Sequence, residues 1–114
     1  MTYIMGAVIA VPTANKDAYL AQAKVAAEVF KDLGALSVVE GWGESVAKGE
    51  VTDFYRAVQA KEDETIVFSY VTWPTKAVFE AAMPKMAEDE RMAGEMPFDG
   101  KRMIFGGFDM IFEA

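Results

Sequence analysis

The segment TIVFSYVTW, Thr65 to Trp73, sets Ile66, Phe68 and Tyr70 on one side of an extended chain and Val67, Val71 and Trp73 on the other. A second segment, MIFGGFDMIF from Met103 to Phe112, repeats the pattern: Ile104, Phe108, Met110 and Phe112 oppose Met103, Phe105 and Ile111. A sheet covered by helices on one face and by water on the other alternates apolar with polar residues. These two strands do not alternate, so both faces of their sheet need cover. A bare apolar face would be a sticky patch, and the economical cover is a second copy of the same sheet across a two-fold axis. Such an arrangement leaves a cavity between helices and strands that can hold a ligand.

The remaining elements fall into place around this constraint. Tyr3 to Val11 is β-prone and stopped by Pro12, which reads as a buried strand. Thr13 or Asn15 is placed to cap a helix with Asp17 in its first turn and an apolar stripe of Tyr19, Ala23, Ala26, Phe30 and Leu33. Gly34 supplies a left-handed stop. Leu36 to Trp42 reads as the second strand and Glu44 to Thr52 as a loop. Phe54 to Ala60 is open between loop and strand, since the alternation in FYRAVQA permits a short strand. Pro74 ends the third strand, and Thr75 caps a helix through Phe79, Ala82, Met83 and Met86 that Pro84 is expected to kink or divide. Asp89 to Gly100 is polar and irregular, and Met103 to Phe112 is the last strand. The order β-α-β-β-α-β predicts an α+β fold of ferredoxin-like type, with two helices on one face of an antiparallel sheet and one domain over residues 1–114.

Composition removes whole classes of chemistry. With no histidine and no cysteine, the chain cannot by itself build an imidazole-ligated haem, a zinc site using His or Cys, a thiol nucleophile or a Ser-His-Asp triad. No cofactor or metal is expected. A net charge of -7 with scattered basic residues argues against nucleic acid as a partner. No apolar run approaches the length of a membrane span, and the N-terminus lacks a basic leader and cleavage pattern. A cytoplasmic protein is expected, its partners being itself and a small molecule rather than a membrane.

The stretch MPFDGKRMIFGGF, Met96 to Phe108, together with LGAL (Leu33 to Leu36), DETIVFSYVTWPT (Asp63 to Thr75) and DERM (Asp89 to Met92), resembles the YbaA-like family of uncharacterised small bacterial proteins in motif, order and spacing. The resemblance spans nearly the whole chain. It implies a dimeric α+β barrel, in which two ferredoxin-like sheets close a barrel across a two-fold axis. Relatives by fold include cofactor-independent monooxygenases acting on polycyclic aromatics, muconolactone-type isomerases and ligand-sensing domains. The chain departs from the family's pattern at Met5, Leu33, Gly41 and Tyr55, where an acid, a histidine, a cysteine and a proline are common.

Several residues are candidates for chemistry. Asp109 shares a strand face with Phe105 and Gly107, and a carboxylate among apolar neighbours needs a partner or a raised pKa. Arg56 is the partner expected by residue type. Glu40, between Val38 and Trp42 on one side of the second strand, poses the same question. Asp99-Gly100 reads as a turn, with Lys101 or Arg102 as an alternative anion clamp. Gly106-Gly107 suggests a bulge, a close backbone approach or the floor of a cavity. Trp42, Tyr70, Trp73, Phe68 and Phe105 are core or the lining of an aromatic-binding pocket. The eight methionines look dispersed and read as packing. Two functions follow. One is a ligand-binding homodimer without catalysis, its ligand contacts drawn from Arg56, Tyr70, Trp42, Phe105, Gly107 and Arg102. The other is a cofactor-independent monooxygenase- or isomerase-like enzyme acting on a small aromatic or carbonyl compound. In the second, Asp109 or Glu40 is the base, and Tyr70 or Arg56 steadies an oxyanion.

Overall fold

Proline and glycine punctuate the chain where the elements change. In the computed structural model, which describes residues 2–114, strand β1 spans Tyr3–Pro12, helix α1 Lys16–Asp32, strand β2 Ser37–Trp42, helix α2 Phe54–Ala57, strand β3 Glu64–Trp73, helix α3 Lys76–Glu88 and strand β4 Ile104–Asp109. Single 3-10 turns, Thr13–Asn15 and Glu90–Met92, precede α1 and follow α3. The four strands form one antiparallel sheet in the order β2-β3-β1-β4, the ferredoxin-like arrangement the sequence predicts.

Register decides which side chains meet the helices. β1 and β3 pair over ten residues, from Tyr3 opposite Trp73 to Pro12 opposite Glu64, without a bulge. Met5, Ala7, Ile9 and Val11 of β1 therefore share a face with Val67, Ser69, Val71 and Trp73 of β3, and all eight are buried. The helices pack on this face, with Tyr19, Val29 and Ala82 as their most buried contributions.

The opposite face is covered at one end only. Val58, Val46, Tyr55 and Ala60 fold over Ala10 and Ile66, burying both. Apart from Val46, this lid comes from the segment for which the sequence allowed a strand. Instead Phe54–Ala57 is one turn of helix, because Asp53 caps it by accepting from the Arg56 N–H at 2.8 Å. The rest of the face is open: Phe68, Phe108 and Ile104 stay 50%, 59% and 46% exposed around a hollow of about 610 Å³. Gly6 and Gly106 lie opposite each other in the register on this face, and their missing side chains form its floor.

Three further expectations change. Pro84 does not divide α3, which runs unbroken to Glu88. Pro84 and Glu80 are both exposed, so water can satisfy the Glu80 carbonyl that the ring leaves unpaired. β4 ends at Asp109 rather than Phe112; beyond one bond from Met110 N–H to the Thr2 carbonyl (3.2 Å), Ile111 and Phe112 project into solvent. Neither Thr13 nor Asn15 caps α1 with its side chain. Thr13 hydrogen-bonds Thr65 (2.7 Å), and Asn15 donates to the Pro97 carbonyl (2.9 Å).

Gly34 ends α1 at φ +112°, and a methyl group there would sit 2.8 Å from Val78 Cγ1. Backbone strain and clash act together, so Gly34→Ala should destabilise the fold by about 1–3 kcal/mol, read as a lower urea midpoint at unchanged slope.

Candidate functional site

On the buried side, α1 presents Tyr19, Gln22, Ala23 and Ala26 along one face, at three- and four-residue spacing. The two alanines leave space that larger residues would fill. Beside them lies a cavity of about 220 Å³, roofed by α1 and α3 and floored by the sheet. Six of the eight methionines line it: Met5 from β1, Met83 and Met86 from α3, and Met92, Met96 and Met103 from the segment between α3 and β4. Methionines that look dispersed in sequence converge in space. Phe30, Phe98 and Phe105 add aromatic surface.

Polar groups enter this lining at few points. Glu40 on edge strand β2 stands opposite Ser69 of β3 in the register. Its carboxylate accepts from Tyr19 Oη at 2.6 Å through Oε1 and from Ser69 Oγ at 3.0 Å through Oε2. Burial, then the hydrogen bond to Glu40 and its negative charge, push the Tyr19 hydroxyl far above its ordinary pKa, so Tyr19 remains a proton-bearing donor. Glu40 itself is exposed, which puts it at the mouth of the cavity. Two hydrogen bonds leave a carboxylate further acceptor capacity. No Lys or Arg makes an ion pair with it among the described residues. One turn along α1 from Tyr19, Gln22 donates through Nε2 to Met96 Sδ (3.3 Å), while its Oε1 is buried without a partner.

The other predicted residues disperse. Phe105 lies at the sheet edge, 64% exposed, and borders both this cavity and the open-face hollow. Tyr70 belongs to the open face. Trp42 shares the helix-side face of β2 with Glu40, and the Lys16 ammonium sits 5.4 Å from its ring centroid. Gly107 makes room for Tyr3, whose ring and hydroxyl an added Cβ would strike, so it is a close approach within the subunit and not a cavity floor.

The expected Asp109–Arg56 pair does not form. Asp109 is exposed at the sheet rim beside Tyr3, Thr75 and Lys76. Arg56 stitches the loop before α2: it pairs with Asp53 (3.0 Å) and donates to the carbonyls of Val51 (2.7 Å), Glu50 (3.1 Å) and Gly49. Arg102 is likewise engaged within the chain. It forks onto both oxygens of Glu64 at 2.7 Å and also donates to Asp99 (3.0 Å) and the Gln59 carbonyl (2.8 Å). Asp99 accepts the Lys101 N–H at 3.0 Å, as a turn aspartate should.

Sequence reasoning missed Gln22 and the polar role of Tyr19. The available signal was an apolar helix stripe interrupted by two alanines, with five methionines crowded between positions 83 and 103. Among the described residues no group of three or more carboxylates gathers to hold a metal ion, and no helix is long and apolar enough to cross a membrane.

Comparison with known proteins places this arrangement among sequences of unassigned function. Residues 2–100 match the family described as "Protein of unknown function (DUF1428)". The chain is 53% identical to "Uncharacterized protein YbaA" of Escherichia coli K12 over 116 aligned positions, covering 99% of each chain. It matches the protein of the same name from Shigella flexneri to the same extent.

The Arg102 clamp sets an acid-side stability limit. Its hydrogen bonds hold Glu64 below the ordinary value of 4.5 and Asp99 below 3.8. Lowered carboxylate pKa values contribute stability that is complete above the unfolded values and lost as pH falls through the folded ones. Glu64 is 4% exposed, so Arg102→Met strands a buried charge and should lower the melting temperature at pH 7 by roughly 5–15 °C. The gap to wild type should narrow below about pH 4.5 as Glu64 protonates. Melting curves at pH 7 and pH 3 check this; an equal gap at both would assign the loss to packing alone.

Proposed function

The chain belongs to the DUF1428 family of proteins of unknown function, and we propose that it works as a cytoplasmic homodimer holding a small, largely apolar molecule in the methionine-lined cavity. The cavity is the observation that carries this reading. Unfilled apolar volume costs stability, and a larger residue at position 23 or 26 would close it. Its lining is mobile thioether and aromatic surface that can adapt to a guest, with a carboxylate oriented at its mouth.

The second copy is supported by the half-covered sheet. The lid over Ala10 and Ile66 stops short, leaving Phe68, Ile104 and Phe108 wet in one continuous hollow, with Ile111 and Phe112 just beyond β4. Two such faces packed across a two-fold axis would give the dimeric α+β barrel.

Glu40 favours a second reading, a cofactor-independent monooxygenase- or isomerase-like enzyme. A carboxylate without a cation partner among the described residues, its oxygens oriented by Tyr19 and Ser69, has the geometry of a proton acceptor. Tyr19, held protonated, would donate a hydrogen bond that orients the Glu40 carboxylate rather than accept a proton itself.

Light scattering during gel filtration at micromolar concentration should give about twice the chain mass of 12.5 kDa, and Phe68→Glu with Phe108→Glu should give the monomer. A monomeric wild type overturns the dimer. For the cavity, a panel of single-ring aromatic compounds should raise the melting temperature. At 100 times the dissociation constant the gain is about 2.7 kcal/mol. Ala26→Leu, which fills the cavity, should abolish the shift while keeping the fold. Should the shifts survive in Ala26→Leu, the ligand sits elsewhere.

A further inference from the structure

The polar groups of the cavity all ask for the same kind of ligand head. Gln22 Oε1 is a buried acceptor with no donor. Turning the amide over would set its oxygen against the lone pairs of Met96 Sδ, forfeiting the 3.3 Å bond its nitrogen now makes, so the orphan is the oxygen. A buried amide oxygen without a hydrogen bond is costly, and a donor supplied by a guest would relieve that cost. Glu40 adds a carboxylate with capacity beyond its two hydroxyl donors and no ion-pair partner among the described residues. Among the described residues no lysine or arginine lines the cavity, while thioethers and the rings of Phe30 and Phe98 do. Lys16, the nearby cation on α1, is placed over the Trp42 ring. An acceptor, an anion and polarizable apolar walls favour a cationic hydrogen-bond donor and disfavour a carboxylate or phosphate.

Size narrows the class further. A cavity of roughly 150 Å³ accommodates benzene. The present 220 Å³ therefore suits one ring with a short arm. Resting on the reading of this cavity as a ligand site, we propose that its ligand is a small arylalkyl amine. The ring lies among the methionines and the ammonium donates to Glu40 and to Gln22 Oε1. The specificity comes from Gln22 on α1 and Glu40 on β2, the latter hydrogen-bonded by Tyr19 one turn before Gln22 on α1.

Four probes of matched shape test this: 2-phenylethylamine, 2-phenylethanol, propylbenzene and 3-phenylpropanoate, titrated calorimetrically at pH 7 against wild type, Ala26→Leu, Gln22→Leu and Glu40→Gln. The amine should bind wild type roughly tenfold more tightly than the alcohol and about a hundredfold more tightly than propylbenzene, with the acid weakest. Glu40→Gln should shrink the preference for amine over alcohol about fivefold or more and leave propylbenzene unchanged. Gln22→Leu should weaken amine and alcohol alike relative to propylbenzene. If propylbenzene binds as well as the amine, or the acid binds better, the amine assignment is overturned while the cavity reading stands. If no probe binds wild type, or binding is indifferent to Ala26→Leu, the cavity reading falls and the assignment with it.

Discussion

The ten-residue ladder between β1 and β3 sets the side on which each residue of the sheet lies, and the rest of the molecule follows from it. A slip of one residue would turn Val67, Val71 and Trp73 away from the helices and bring Phe68 and Tyr70 beneath them. Around Val71 and Trp73 the helix face has no room for such an exchange: both are fully buried, with the Trp73 ring edge-on to both Phe30 and Phe79 at 5.8 Å. The same register puts Ser69 under the helices, and β2 then brings Glu40 directly beside it. The carboxylate at the cavity mouth is thus placed by strand pairing, and Tyr19 from α1 only fastens what the sheet has already aimed.

The guanidinium groups are committed elsewhere than at this carboxylate. All three arginines of the chain are engaged with carboxylates: Arg56 with Asp53, Arg91 with Asp89 and Asp32, and Arg102 with Glu64 and Asp99. Two of these arginines also tie down irregular chain, the loop before α2 and the turn before β4. In a protein of net charge -7 the guanidinium groups secure connections that have few apolar contacts of their own. Anion recognition therefore has no uncommitted arginine to draw on among the described residues, and the hydrogen bonds that hold Glu40 there come from the hydroxyl groups of Tyr19 and Ser69.

Much of this was legible in the sequence. Two-sided apolar strands, the proline stops at Pro12 and Pro74, the Gly34 terminus and the Thr75 cap all follow from local chemistry, and the structure places them as expected. The errors share a cause. FYRAVQA alternates like a strand, but its fate was decided by Asp53, whose capping bond is local, and by Val58, whose burial against Ala10 and Ile66 is not. The Asp109–Arg56 pairing was inferred from residue type, and residue type carries no distance. The methionines illustrate the limit most plainly: a cavity is a property of where side chains are missing as well as where they stand, and Ala23 and Ala26 read equally well as ordinary helix.

The material of the cavity bears on how it would work. Leucine or isoleucine walls would hold a fixed shape, whereas methionine has three soft torsions and a polarizable sulfur. Four of the six lining methionines, Met86, Met92, Met96 and Met103, come from the end of α3 and the irregular segment after it, the part of the helix-side cover least constrained by regular hydrogen bonding. The opposite wall is rigid: β1, β3 and the alanine face of α1, with Glu40 fixed by Tyr19 and Ser69. A stiff polar wall facing a compliant apolar one lets the head group of a guest be read by position while its body is accommodated by repacking. Selectivity in such a site resides in Glu40 and Gln22, and tolerance resides in the methionines.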